Sequence, residues 1–118
     1  MTELKITDAL KLGVEAHKAG KVQEADRYYT AILKVQPNHP DANHNLGILA
    51  VSVNKIEQAI PLFKKALEIN PKIPQFWFSF IDTLLKGKQL NEAQDALIQA
   101  KEHGIDEQSL QKFQNQLT

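Results

Sequence analysis

Two histidines stand five residues apart in the segment PNHPDANHNLG, residues 37–47, with Asp41, Asn43 and Asn45 between and beside them. Neutral imidazoles and carboxylates are metal ligands, so His39, Asp41 and His44 are the first place to look for chemistry. The spacing argues against it. Protein metal sites draw ligands from positions that share a face, whereas a five-residue step across a proline-led helix start does not put two rings together. His17 and His103 lie far off in the chain, and there is no cysteine to complete a ligand set. The histidines are expected to be exposed polar residues. Ser52, Ser79 and Ser109 lack any nucleophile context. The five glycines, at 13, 20, 47, 87 and 104, are dispersed and form no phosphate-binding loop. Asp106-Glu107 reads as an acidic pair at a helix start, where the dipole favours it. No catalytic residue, cofactor or metal is expected.

Bulk composition narrows the partners. Fourteen basic residues balance fourteen acidic ones among 118. Nucleic acid and anionic membranes both select for a cationic field, so neither is expected as a partner. The opening MTELKITDALK mixes charged residues into its apolar ones, unlike a signal peptide. Apolar runs such as LGILAV, residues 46–51, are far too short to span a bilayer. A cytoplasmic location is the default expectation.

The elements that position these residues repeat with a fixed period. Leu12-Gly13 recurs as Leu46-Gly47, Ala25 as Ala59 and Ala93, Pro37 as Pro71, and Pro40 as Pro74, each 34 residues on. Tyr29, Phe63 and Leu97 keep the same step, as do Val22, Ile56 and Leu90. One domain over 1–118 is expected, with repeats at about 6–39, 40–73 and 74–107. Within each repeat, apolar residues follow the helical period twice: Ala9, Leu12, Gly13, Ala16 and then Val22, Ala25, Tyr29, Ile32, Leu33 in the first. Gly20, Asn54 and Gly87 punctuate the turns between paired helices. Pro37 and Pro71 close each second helix, while Pro40 and Pro74 suit the first turn of the next. Glycines 13 and 47 let helices approach closely, with Tyr29 or Phe63 filling the space beside them. Ile81 puts bulk where the other repeats have glycine, so wider helix separation is expected in the third. Pro61 falls within a second helix near its start, where a slight bend is expected. In the tail, Asp106 is a candidate N-cap, and Leu110, Phe113 and Leu117 mark an amphipathic capping helix over about 106–117.

This pattern resembles the tetratricopeptide repeat family. The middle repeat carries it best, with Leu46-Gly47, Ala50, Ala59, Phe63, Ala66 and Pro71, although Asn43 stands where the family has tryptophan. The third has Trp77, Ala93 and Ala100 but departs at Phe80-Ile81 and Ile105, and the first has Ala9 in place of tryptophan. The resemblance implies an all-α, right-handed superhelical solenoid of three helix-turn-helix repeats with a C-terminal capping helix. It further implies a non-catalytic module that binds a peptide or protein segment along the concave face of its first helices. Projected onto that face are Leu10, Val14 and His17 from the first repeat, His44, Asn45, Ile48 and Val51 from the second, and Phe78, Asp82 and Leu85 from the third. Packing within a repeat does not require these positions to be apolar, yet six are. They either line an interaction groove or pack between neighbouring first helices. Family subclasses bind acidic chaperone tails through basic and amide residues, or peptide backbone through a ladder of asparagines. Asn45 matches one position of each. Leu10, Val14, Gln75 and Ser79 stand at the other clamp positions, and Lys11 and Ser79 at the other rungs, which argues against chaperone-tail binding. The alternative is a structural role: self-association into a homo-oligomer, or an N-terminal scaffold on a glycosyltransferase-like or sulfotransferase-like protein.

Overall fold

Helices begin at residues 6, 40 and 74 and again at 22, 56 and 90, so two sets of helices each advance by the same 34 residues. The computed structural model describes residues 5–118. Hairpins are formed by α1 (Ile6–Lys18) with α2 (Val22–Val35), α3 (Pro40–Ser52) with α4 (Ile56–Ile69), and α5 (Pro74–Lys86) with α6 (Leu90–Glu102). A final helix, α7 (Glu107–Leu117), follows. No strand occurs among the described residues, and the array measures 54 × 26 × 20 Å. The fold is an all-α helical repeat.

Each first helix ends in the same way. The amides of Lys21, Lys55 and Gln89 donate to the carbonyls of Ala16, Ala50 and Leu84, five residues back, at 2.8–2.9 Å. The residue before each has a positive φ: 77° at Gly20, 62° at Asn54 and 58° at Lys88. This is the Schellman turn, which satisfies the last helical carbonyls through one left-handed residue. The third turn therefore corrects the sequence expectation. Gly87 has an ordinary φ of −82°, and Lys88 takes the left-handed position at the cost of a Cβ there.

Starts differ more. Pro40 and Pro74 each occupy the first helical position, where no amide is needed. His39 caps α3, its Nδ1 accepting from the Ala42 amide at 3.0 Å, and Asp106 caps α7 by accepting from the Ser109 amide at 3.3 Å. Helix α4 continues unbroken through Pro61. Pro61 and Glu57 are both exposed, so water can reach the Glu57 carbonyl that the proline leaves without a donor.

Inside the hairpins, a small residue faces a ring. A Cβ on Gly13 would lie 2.5 Å from Tyr29 Cε1, and one on Gly47 would lie 2.6 Å from Phe63 Cε1. Tyr29 and Phe63 are fully enclosed. The third hairpin redistributes the volume: Ile81 replaces the glycine and Leu97 replaces the ring, and both are buried. The α5 and α6 backbones approach closely over less of their length than those of α3 and α4, in line with the wider spacing expected from Ile81.

Linkers are anchored at repeat-equivalent points by different side chains. Trp77 Nε1–H donates to the Pro71 carbonyl at 2.6 Å. Asn43, 34 residues earlier, donates through Nδ2 to the Pro37 carbonyl at 3.1 Å and to that of His39 at 2.8 Å. Asparagine thus replaces the indole as donor while giving up its apolar bulk.

The curvature follows from which helices touch. α1 packs beside α3, α3 beside α5 and α5 beside α7, whereas α2, α4 and α6 make no close backbone approach to one another. First helices line the inner side of the bend and second helices fan apart on the outside. Clefts remain on the outer side. One of about 510 Å³ lies between α4 and α6, and one of about 290 Å³ runs between α2 and α4.

Candidate peptide-binding groove

The inner surface is built by the exposed edges of α1, α3 and α5. Leu10, Val14 and His17 on α1 are half-buried, as are Asn45, Ile48 and Val51 on α3 and Phe78, Asp82 and Leu85 on α5. Ile48, Val51, Phe78 and Leu85 also pack against the main core, and Leu10 bridges the two smaller core clusters of the first two repeats. Each of these apolar residues therefore serves the fold with one side and keeps part of its surface in solvent.

His44 differs from the expectation for an exposed histidine. It is only 8% exposed, sandwiched between repeats. Its ring stacks on Phe76 with centroids 4.8 Å apart and tilts against Phe63 at 5.5 Å. Side-by-side packing of α3 and α5 leaves little solvent at this position, and neighbouring aromatics enclose it.

A chain of hydrogen bonds keeps the buried ring satisfied. His44 Nδ1 lies 3.2 Å from Asn45 Oδ1, its Nε2 lies 2.8 Å from Ser79 Oγ, and Gln75 Nε2 lies 3.3 Å from the same hydroxyl. Asn45 Oδ1 can only accept, so Nδ1 carries the proton. Ser79 then donates to Nε2 and accepts from Gln75, and every bond in the chain is consistent. A second proton on the ring would turn Nε2 into a donor facing the Ser79 hydroxyl. Burial pushes the His44 pKa below 6.5, against the upward pull of the Asn45 hydrogen bond and the Asp41 charge.

Two other groove residues are engaged. Asp82 pairs with Lys86 at 3.1 Å along α5, both half exposed. Phe78 is partly covered by α7, whose Phe113 ring lies 6.0 Å away, with Lys112 Nζ 5.0 Å over that second ring. Val14 and His17 have no such partner on α3.

The sequence expectation placed Ser79 and Gln75 only at clamp and ladder positions and left out Phe76. A signal was available. His44 and Ser79 are 35 residues apart, one repeat plus one, and that offset brings side chains on adjacent first helices face to face. Among the described residues, no group of three or more His, Asp or Glu side chains converges to hold a metal ion, and no helix is long and apolar enough to cross a membrane.

Paired helices in 34-residue steps, a small residue against a ring and a shared inner face define a helical-hairpin repeat protein. The sequence matches the tetratricopeptide repeat family over residues 10–74 and again over residues 50–117. The chain belongs to that family, whose fold is a protein-interaction module. It is similar to the photosystem I assembly protein Ycf3 of Prochlorococcus marinus (strain NATL2A), at 38% identity over 65 residues, 52% of this chain. That match spans only 38% of the relative's length. In structure it is similar to the Yersinia enterocolitica type III secretion chaperone SycD, solved with a peptide of the translocator YopD. The TM-score is 0.81 at 19% identity, covering 95% of this chain and 88% of that one. It is also similar to part of the Thermobaculum terrenum O-GlcNAc transferase, with a TM-score of 0.76 at 23% identity over 88% of this chain and 21% of the enzyme. At these identities the structural likeness is one of fold.

Proposed function

We propose that the chain is a non-catalytic interaction module that holds an apolar segment of a partner protein along its inner face. The observation that supports this reading most is the stripe of half-buried aliphatic and aromatic side chains, Leu10, Val14, Ile48, Val51, Phe78 and Leu85, continued across three first helices. A stripe that keeps part of its apolar area in water across successive repeats fits a partner surface better than isolated exposed residues do. The SycD structure contains a bound peptide, which is consistent with a repeat array of this size accommodating one. Ile48, Val51 and Phe78 are the anchors in this reading. Asn45 supplies polar register: its Oδ1 is held by His44, which leaves its amide N–H groups for a backbone carbonyl. Covering one aromatic and two or three aliphatic side chains is worth about 1.5–3 kcal/mol each before ordering costs, which points to roughly micromolar affinity.

A peptide-library screen, repeated with Ile48→Asp and with Phe78→Asp, tests the reading. Captured peptides should share apolar residues and lose binding to both variants, with circular dichroism confirming that each variant folds. Folded variants that retain every captured peptide would overturn it. A second reading is scaffolding, in which the same face meets a second copy or another domain of a larger protein. The likeness to one-fifth of a sugar transferase favours it, as does the reported dimer of SycD. A solution mass that rises with concentration and falls for Ile48→Asp would support self-association instead of peptide capture.

A further inference from the structure

The larger outer cleft, between α4 and α6, has a floor and a rim of different character. Trp77 and Phe80 from α5, with centroids 6.5 Å apart, form a nearly buried floor together with Leu67 and Ala96, and His103 lies against the Trp77 ring at 5.6 Å. Three carboxylates, Glu68, Glu92 and Asp95, stand around it against one ammonium, Lys64. Lys64 reaches only Glu92, at 4.0 Å, and Glu68 and Asp95 have no ion pair among the described residues.

The repeat supplies an internal control. Thirty-four residues earlier, Glu68, Glu92 and Asp95 correspond to Lys34, Gln58 and Pro61, Gln99 to Lys65, and Trp77 to Asn43. The packing of second helices around the bend therefore requires neither the carboxylates nor the indole. At the register-equivalent positions one repeat back the chain carries Lys34 and Lys65 and no acid, and the cleft between α2 and α4 has a single carboxylate, Asp26, in its lining. The acidic rim and aromatic floor are particular to this cleft.

We propose that this cleft is a second docking site, on the opposite side of the array from the groove, for an arginine-bearing segment of a partner protein. Charge complementarity selects the cation. The forked donors of a planar guanidinium can reach carboxylates on both α4 and α6 at once, which a lysine ammonium does not match. A volume of about 510 Å³ exceeds one side chain, so apolar neighbours of the arginine fit against Leu67 and Ala96.

Trp77 is the only tryptophan in the chain, so its fluorescence reports on the cleft directly. Titration with the peptide acetyl-Leu-Arg-Leu-amide should change Trp77 emission saturably, and the effect should weaken as salt is added. The glutamine analogue, acetyl-Leu-Gln-Leu-amide, should leave the emission unchanged. Glu68→Gln combined with Asp95→Asn alters two exposed side chains and should weaken binding about tenfold, the scale expected for two partly solvated ion pairs. Three results would each overturn the proposal: no response to the arginine peptide, an equal response to the glutamine peptide, or undiminished binding by the double variant. A fourth is emission that shifts with protein concentration alone while the solution mass rises, since a second copy would then be the occupant.

Discussion

The first two hairpins and the third fill their interiors in different ways. In the first two, a glycine on the first helix admits a ring from the second, Gly13 to Tyr29 and Gly47 to Phe63. In the third, two aliphatic side chains of intermediate size, Ile81 and Leu97, meet instead. The difference teaches that what repeats is the register, while the division of side-chain bulk between the two helices is free and the helix spacing adjusts to it. The same holds at the linkers, where a carbonyl is bound by an asparagine in one repeat and by an indole in the next.

Exchanging the two solutions breaks that comparison most severely. Gly47→Ile alone places a branched side chain where even a Cβ meets Phe63 at 2.6 Å. It should cost about 3 kcal/mol or more in urea unfolding. Adding Phe63→Leu imports the arrangement of the third hairpin and should recover at least about 1 kcal/mol of that loss, beyond additivity. If the double variant is no better than the sum of the singles, shared volume is not the controlling quantity. The reverse change, Ile81→Ala, opposite a leucine that cannot fill the gap, should cost about 2–4 kcal/mol by the same measurement.

The seam between the two kinds of hairpin offers a smaller effect. His44 is neutral in the folded chain, with its pKa below the unfolded value of 6.5 because burial disfavours the charge. As the pH falls below about 6.5, the unfolded chain takes up a proton that the folded chain refuses. Stability is therefore full above that value and declines as pH drops through the window down to the folded pKa. The slope from this group cannot exceed about 1.4 kcal/mol per pH unit, the limit for one proton. Unfolding measured across this range should show the decline, and His44→Asn should remove the part due to this group.

The turns give the smallest difference. Gly20 occupies its left-handed position without strain, whereas Lys88 does not. Lys88→Gly should stabilise by about 0.5–1 kcal/mol, and Gly20→Ala should destabilise by a similar amount, both read as shifts in the urea midpoint. Opposite signs are the result to look for; equal signs would contradict the assignment of Lys88 as the residue equivalent to Gly20.

The repeat fold was legible because several kinds of residue recur in one register: the small residues, the rings they admit, the prolines and the turns. What the period encodes directly is packing within a hairpin. Contacts between hairpins were less visible. Leu90 reads like Val22 and Ile56, yet it is 52% exposed, whereas Ile56 is covered by the following turn at Gly87. Its sequence does not record whether a following turn covers it. His44 was misjudged for a related reason. Its polarity suggested water, but the side-by-side placement of α3 and α5 surrounds it with Phe63, Phe76 and Ser79. Gly87 attracted attention because it is a glycine, although the register of 34 points to Lys88. In each case a residue's type was read ahead of its position in the period.

First helices adhere to one another while second helices do not, so the array resembles a hand fan joined along one edge. Opening or closing such a fan leaves the seam largely intact and changes mainly the gaps between the ribs. Each second helix is still tied to the next first helix, α2 to α3 and α4 to α5, so a change of shape turns on those contacts and widens one surface as it narrows the other.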